Sequence, residues 1–101
     1  MKERFKIIGR GYCVSNFGRV FNSLGYEMKA GRDKRGYYRV TIGREKCYIH
    51  LLVAKLFIKN PCNYAYVRHI DGDKSNNRAD NLAYYPNLRP VQGNNKFNKY
   101  F

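Results

Sequence analysis

The chain has 101 residues and carries 20 Lys and Arg against 7 Asp and Glu, a formal charge of +13. A chain this short builds one modest core and reads as a single domain, 1–101, and so dense a positive charge repels itself in a compact state unless an anionic partner is near. No apolar run approaches a membrane span, and the opening MKERFKIIGRGY lacks the long apolar region of a secretory signal, so no membrane partner is expected and the expected location is the cytoplasm.

In chain order, GYCVSNFGRVFNS predicts a hairpin, with Tyr12 to Val14 as one strand, a turn at Ser15 to Gly18, and Arg19 to Phe21 as the other. Gly25 to Met28 reads as a further short strand, followed by a basic loop, KAGRDKRG. The segment YYRVTIGREKCYIH alternates Tyr38, Val40 and Ile42 with Arg39 and Thr41, breaks at Gly43 to Glu45 and resumes, which is a second hairpin. His50 to Ile58, HLLVAKLFI, is apolar almost all round, a pattern shared by buried helices and buried strands. Its Leu, Ala and Lys favour the helix, and Lys59 to Pro61 form a natural stop. Val67 to Ile70 predicts a brief strand, DGDKSNN a turn, and Arg78 to Tyr84 a short helix. The tail NLRPVQGNNKFNKYF admits either a short helix after Pro90 or an irregular segment. Hairpins, then a helix, then a strand-turn-helix unit make the class α+β.

The charge is uneven along the chain. Residues 1–46 hold 12 basic and 4 acidic side chains and residues 47–101 hold 8 and 3, so both parts are basic and the β-rich first part more so. Ten Tyr and six Phe are interleaved with that charge, a composition that suits nucleic acid better than a bilayer, which a basic amphipathic helix would serve. Cys13, Cys47 and Cys62 are odd in number and widely spaced, which fits free thiols rather than a disulfide framework; a zinc site completed by His50 or His69 has only weak spacing support. DGDKSNNRADNL places Asp71, Asp73 and Ser75 like a calcium loop, but an EF-hand needs glycine at its sixth place and glutamate at its twelfth, where this chain has Asn76 and Leu82.

HLLVAKLFIKNP followed by VRHIDGDKSNNRADNLAY resembles the HNH homing endonucleases, whose pattern runs as a VHRLVA helix, an NP break, HIDGNKSNN and NRxENL. The stretch GYCVSNFGRVFNS is similar to a second motif, GYEVSNxGRVxS, that commonly precedes that core. The resemblance implies a ββα-metal nuclease core over 47–101 behind a β-rich DNA-binding portion over 1–46, in a monomer acting on double-stranded DNA, within a host cell if the gene is a phage's. It further implies that His69 is the general base, since an imidazole can take a proton from the water that attacks a phosphodiester. Asn81 matches the middle asparagine, whose amide ties the strand-turn to the helix. One divalent ion, magnesium or manganese, would stabilise the pentacoordinate phosphate.

This sequence departs from the family at two usual metal-ligand positions. Arg68, which has only hydrogen-bond donors, stands before the histidine, and Pro90 stands nine residues after Asn81. Asn94 and Asn95 are the nearest substitutes, with Asp71 as a reserve oxygen donor whose other role is to brace its own turn. His50 reads as a structural or phosphate-contacting residue. For DNA, the hairpins and their loop offer Arg19, Lys29, Arg32, Lys34, Arg35, Arg39 and Arg44, with Arg68 as a further phosphate contact. Neutralising about six phosphates predicts a log-log salt slope of roughly −5. Without the C-terminal helix-turn-helix module that full-length homing enzymes often add, a shorter or looser recognition site is expected. The alternative, for which Arg68 and Pro90 speak, is an HNH-derived module that no longer cuts and binds DNA or a protein, as a phage regulatory protein would; an RNA-binding protein is the third reading.

Overall fold

The computed structural model describes residues 1–86. Its elements run β1 (Phe5–Ile7), β2 (Cys13–Ser15), β3 (Val20–Phe21), β4 (Gly31–Arg32), β5 (Tyr38–Ile42), β6 (Glu45–Tyr48), α1 (Ile49–Phe57), β7 (Tyr66–His69) and β8 (Leu82–Tyr85), with 3-10 turns at Gly9–Gly11 and Ala79–Asn81. The strands form three small antiparallel sheets, β1-β2-β3, β4-β5-β6 and β7-β8. The class is α+β, as the order of strand and helix signals implies.

The helix is the hub. It packs against β2, β5, β6, β7 and β8, and the buried core draws Val14 from β2, Val20 from β3, Val40 from β5, Ile49 and Val53 from α1, and Leu82 from β8. Each sheet is too small to bury a face alone, so all three lean their branched side chains on one helix; each such side chain stabilises by roughly 1.5–3 kcal/mol. Ile49, His50, Val53 and Ala54 are buried while Leu51 is 41% exposed, so the helix buries one face rather than its whole circumference. It ends where the Ile58 N–H returns to the Ala54 carbonyl, three residues before Pro61.

Three expectations are corrected. The helix over Arg78 to Tyr84 is absent: after the short turn at Ala79–Asn81 the chain extends into β8, in the register Tyr66↔Tyr85, Val67↔Tyr84, Arg68↔Ala83 and His69↔Leu82. Asp80 and Asn81 propagate a helix poorly, whereas β7 offers the backbone partners that strand pairing needs. Gly25 to Met28 makes only one bridge, Phe21↔Glu27, while the loop expected to be irregular contains β4, which pairs with β5. Strand β1, which no turn signal announced, adds to the first hairpin through Phe5↔Ser15. The choice between helix and coil after Pro90 lies outside the described residues.

Candidate active site

Strand β7 alternates exposure along Tyr66–His69, turning Val67 and His69 inward and Tyr66 and Arg68 outward. His69 closes the strand, and its carbonyl accepts the Gly72 N–H at 3.0 Å across a turn in which Gly72 takes φ +78°. The His69 ring is half-buried, and its Nε2 lies 2.7 Å from the Oδ1 of Asn77, a residue 6% exposed. Arg68, one residue earlier, is exposed on the opposite face of the strand.

The loop that follows is closed by a buried amide. The Asn81 side chain donates to Asp71 Oδ1 and to the Asn76 carbonyl, both at 2.9 Å, and its Oδ1 accepts the Asp71 N–H at 3.1 Å. Its backbone carbonyl takes the Ile70 N–H at 2.7 Å. The Asp71 carboxylate also accepts the Asp73 N–H at 2.8 Å and the Asn76 amide at 3.0 Å. Those donors, the Asn76 amide foremost, lower its pKa, so Asp71 is an exposed and firmly ionised oxygen donor. Among the described residues no three His, Cys, Asp or Glu side chains assemble into a metal cage.

An aromatic shelf lies beside the His69 ring. His50, 7% exposed at the start of α1, stacks on Tyr37 with centroids 5.0 Å apart, and its ring lies 5.1 Å from that of His69 and 5.6 Å from that of Tyr48. Burial, with the positive charge of His69 adding to it and Asp33 opposing, pushes the His50 pKa down to about 4, so this imidazole is neutral near pH 7. Its Nδ1 is buried without a hydrogen-bond partner among the described residues. The Tyr48 hydroxyl donates to Asp33 Oδ2 at 2.6 Å, and Asp33 Oδ1 accepts the N–H groups of Arg35 and Tyr37, both at 2.9 Å. The Tyr48 bond is the largest of the effects that hold the Asp33 pKa at about 2. Lys74 reaches over from the β7–β8 loop, with its Nζ 4.5 Å from the Tyr37 centroid and 2.6 Å from the Arg35 carbonyl.

The sequence model of the family described as HNH endonuclease matches residues 47–89, from β6 to beyond β8. Two HNH endonucleases of Acanthamoeba polyphaga mimivirus are each 40% identical to the chain, over 78 and 88 residues, which is 72% and 80% of this chain. The structure matches one described as DNA binding and cleavage by the HNH homing endonuclease I-HmuI, with a TM-score of 0.71 and 32% identity, covering 82% of this chain. The chain belongs to the HNH endonuclease family. Its fold is that of the HNH homing endonucleases. It spans 24% and 22% of the lengths of the two viral relatives and 52% of the I-HmuI chain.

Within this HNH fold the predicted residues are distributed unequally. His69, Asp71 and Asn81 come together on the β7–β8 hairpin and its loop. Asn94 and Asn95, named as candidate metal ligands, lie outside the described residues. Lys29, Arg32, Lys34, Arg35, Arg44 and Arg68 are exposed and Arg39 is half-buried; none of the seven lies within 4 Å of a carboxylate among the described residues. Arg19 differs: it pairs with Glu3 at 2.9 Å and Glu27 at 3.2 Å and lies over the Phe21 ring. The sequence gives Tyr37 only as a ring among basic residues, and Lys74 and Asn77 only as matches to the HNH pattern; none of the three has a role at the histidine on that reading. The last two stand within the HNH motif itself, but nothing in the spacing of a turn says which way its side chains face.

Proposed function

We propose that this chain hydrolyses phosphodiester bonds in double-stranded DNA, nicking or cutting it as a metal-dependent HNH homing-type endonuclease, with His69 as the general base. The observation that carries the reading is the placement of His69 at the end of β7 in an HNH hairpin closed by Asn81. The ring is partly open to solvent and lies in a strongly basic chain, where a phosphate can approach it and a water can stand between the two. His69 takes the proton of the attacking water. Asn81 holds the loop that fixes the strand end, and Lys29, Arg32, Lys34, Arg35, Arg39, Arg44 and Arg68 bind backbone phosphates around it.

Hard oxygen donors suit magnesium or manganese, and the exposed, ionised Asp71 is the described residue whose chemistry fits. In this proposal Asp71 holds the cation together with Asn94 or Asn95. When bound, the ion neutralises charge developing on the phosphate and on the leaving oxygen. The protein acts as a monomer.

Arg68 favours a second reading, an HNH-derived DNA- or protein-binding module without catalysis, because it replaces an acidic or amide ligand with a cation. One assay separates the two. Supercoiled plasmid is incubated with the protein and magnesium or manganese, beside His69→Ala. Conversion to the open-circular form by the wild type and its loss in the variant are expected. Retarded migration of the plasmid with no relaxation by either protein would overturn the nuclease reading in favour of the module.

A further inference from the structure

The first hairpin and the HNH loop meet at one point. Gly18, at φ +88° in the β2–β3 turn, lies so close to Asn77 that a Cβ placed there would stand 2.9 Å from the Asn77 carbonyl oxygen and 3.0 Å from its Cβ. Only a residue without a side chain permits that approach. Next to it the Ala79 N–H donates to the Asn16 carbonyl at 2.8 Å, and the Arg78 guanidinium lies 3.9 Å over the Phe17 ring. On the other side, Asn76 is held through its carbonyl by the Asn81 amide. Asn77 is therefore clamped between two supports, one from the GYCVSNFGRV stretch and one from the HNH loop.

The turn is itself built to be stiff. Ser15 and Asn16 are fully buried although both are polar. Ser15 Oγ accepts the N–H groups of Phe17 and Arg19, and its carbonyl accepts the Gly18 N–H at 3.0 Å. The Asn16 side chain accepts the Arg4 N–H at 2.7 Å and donates to the Lys2 carbonyl at 3.0 Å. Burying two such groups is tolerable only because each is satisfied, and a satisfied buried network has one geometry. What that geometry presents is the floor on which Asn77 sits.

From this arrangement we infer that Asn77, seated by the Ser15–Gly18 turn, is the positioning residue of His69. An amide oxygen accepts but does not donate, so its 2.7 Å contact puts the ring hydrogen of His69 on Nε2 and leaves the Nδ1 lone pair free. Nδ1 is then the nitrogen able to take a proton, and the ring cannot swing without breaking the bond. The N-terminal motif thus belongs to the histidine's support as well as to a DNA-binding surface. The catalytic consequence rests on the nuclease reading; the seating does not.

Nitrogen-15 NMR of the full chain reads the seat directly, and its two histidines are assigned with a His69→Gln variant. A slowly exchanging Nε2–H signal of His69 is expected in the wild type and in Asn77→Asp, which keeps an acceptor oxygen. The signal should be lost in Asn77→Ala and in Gly18→Ala, with circular dichroism confirming that Asn77→Ala stays folded. If Gly18→Ala does not fold, the contrast between Asn77→Ala and Asn77→Asp carries the test. In the plasmid assay Asn77→Ala should lower kcat by about 100-fold with KM nearly unchanged, the pattern of a misplaced catalytic group. A His69 signal on Nδ1 in the wild type, or an Nε2–H signal that survives Asn77→Ala, overturns the inference. A wild type that shows the seat but never nicks sinks the nuclease reading and leaves the seat standing.

Discussion

The imidazole of His50 lies with its centroid 5.1 Å from that of His69, and His50 is buried where His69 is only half-buried. Burial, and after it the neighbouring imidazole, work against placing a charge on His50. The His50 pKa falls from 6.5 to about 4 on folding, so the folded chain binds this proton less tightly than the unfolded chain does. Protonation therefore favours unfolding: His50 costs nothing above about pH 6.5 and withdraws stability progressively as pH falls from 6.5 to about 4. Thermal melts across that window should show a falling Tm, and His50→Phe, which keeps a ring on Tyr37, should flatten the fall. A variant whose Tm tracks the wild type through the window would show that His50 is not its cause. The Asp33 carboxyl acts lower, its stabilisation lost only as pH drops from 3.8 towards about 2.

Asn81→Ala should destabilise the chain by roughly 2–4 kcal/mol, because the side chain is 8% exposed and its loss leaves the Asp71 N–H and the Asn76 carbonyl without their partner. Chemical denaturation measures this directly. Asn81→Asp should be no milder: its Oδ1 still accepts the Asp71 N–H, but its second carboxylate oxygen replaces the amide donor that faces the ionised Asp71 Oδ1 and the Asn76 carbonyl, both 2.9 Å away, and repels them.

Arg19 and Arg32 should behave differently in DNA binding although both belong to the basic hairpin portion. Two carboxylates hold the Arg19 guanidinium, whereas Arg32 has none within 4 Å among the described residues. Arg32→Ala is expected to make the log-log salt slope shallower by about 1, as the loss of one phosphate contact does. Arg19→Ala should leave the slope within error of the wild type. Fluorescence anisotropy on a short duplex at several salt concentrations checks both, and equal slopes for the two variants would contradict the contrast.

Chelation should separate activity from stability. The loop from Ile70 to Asn81 closes on its own hydrogen bonds, so EDTA is expected to leave the melting temperature unchanged within a degree or two while abolishing plasmid relaxation. A large drop in Tm on chelation would mean that a cation holds the loop itself.

Much of the fold was legible because its signals are local. The turn at Ser15 to Gly18, the alternation from Tyr38 to Ile42 and the apolar run that became α1 each depend on neighbours a few residues away, and each appears close to where it was placed. Misreadings arose where a distant partner decided. Residues 82–85 become a strand because β7 offers them hydrogen bonds, and Gly31–Arg32 become one because β5 does. Local propensity in those stretches was too weak to resist either partner.

By itself the sequence determined the chemistry on offer: a large excess of positive charge, one histidine in an HNH motif, and an amide three residues before the end of that motif. These follow from composition and from spacing along the chain. Tertiary structure alone decided what each group became. It buried His50 and left His69 half-buried, paired Arg19 with two carboxylates and gave Arg32 none among the described residues, and brought Gly18 against Asn77 across 59 residues of chain. Burial, pairing and contact depend on which surfaces meet in space, and no pattern of neighbours along a chain specifies that.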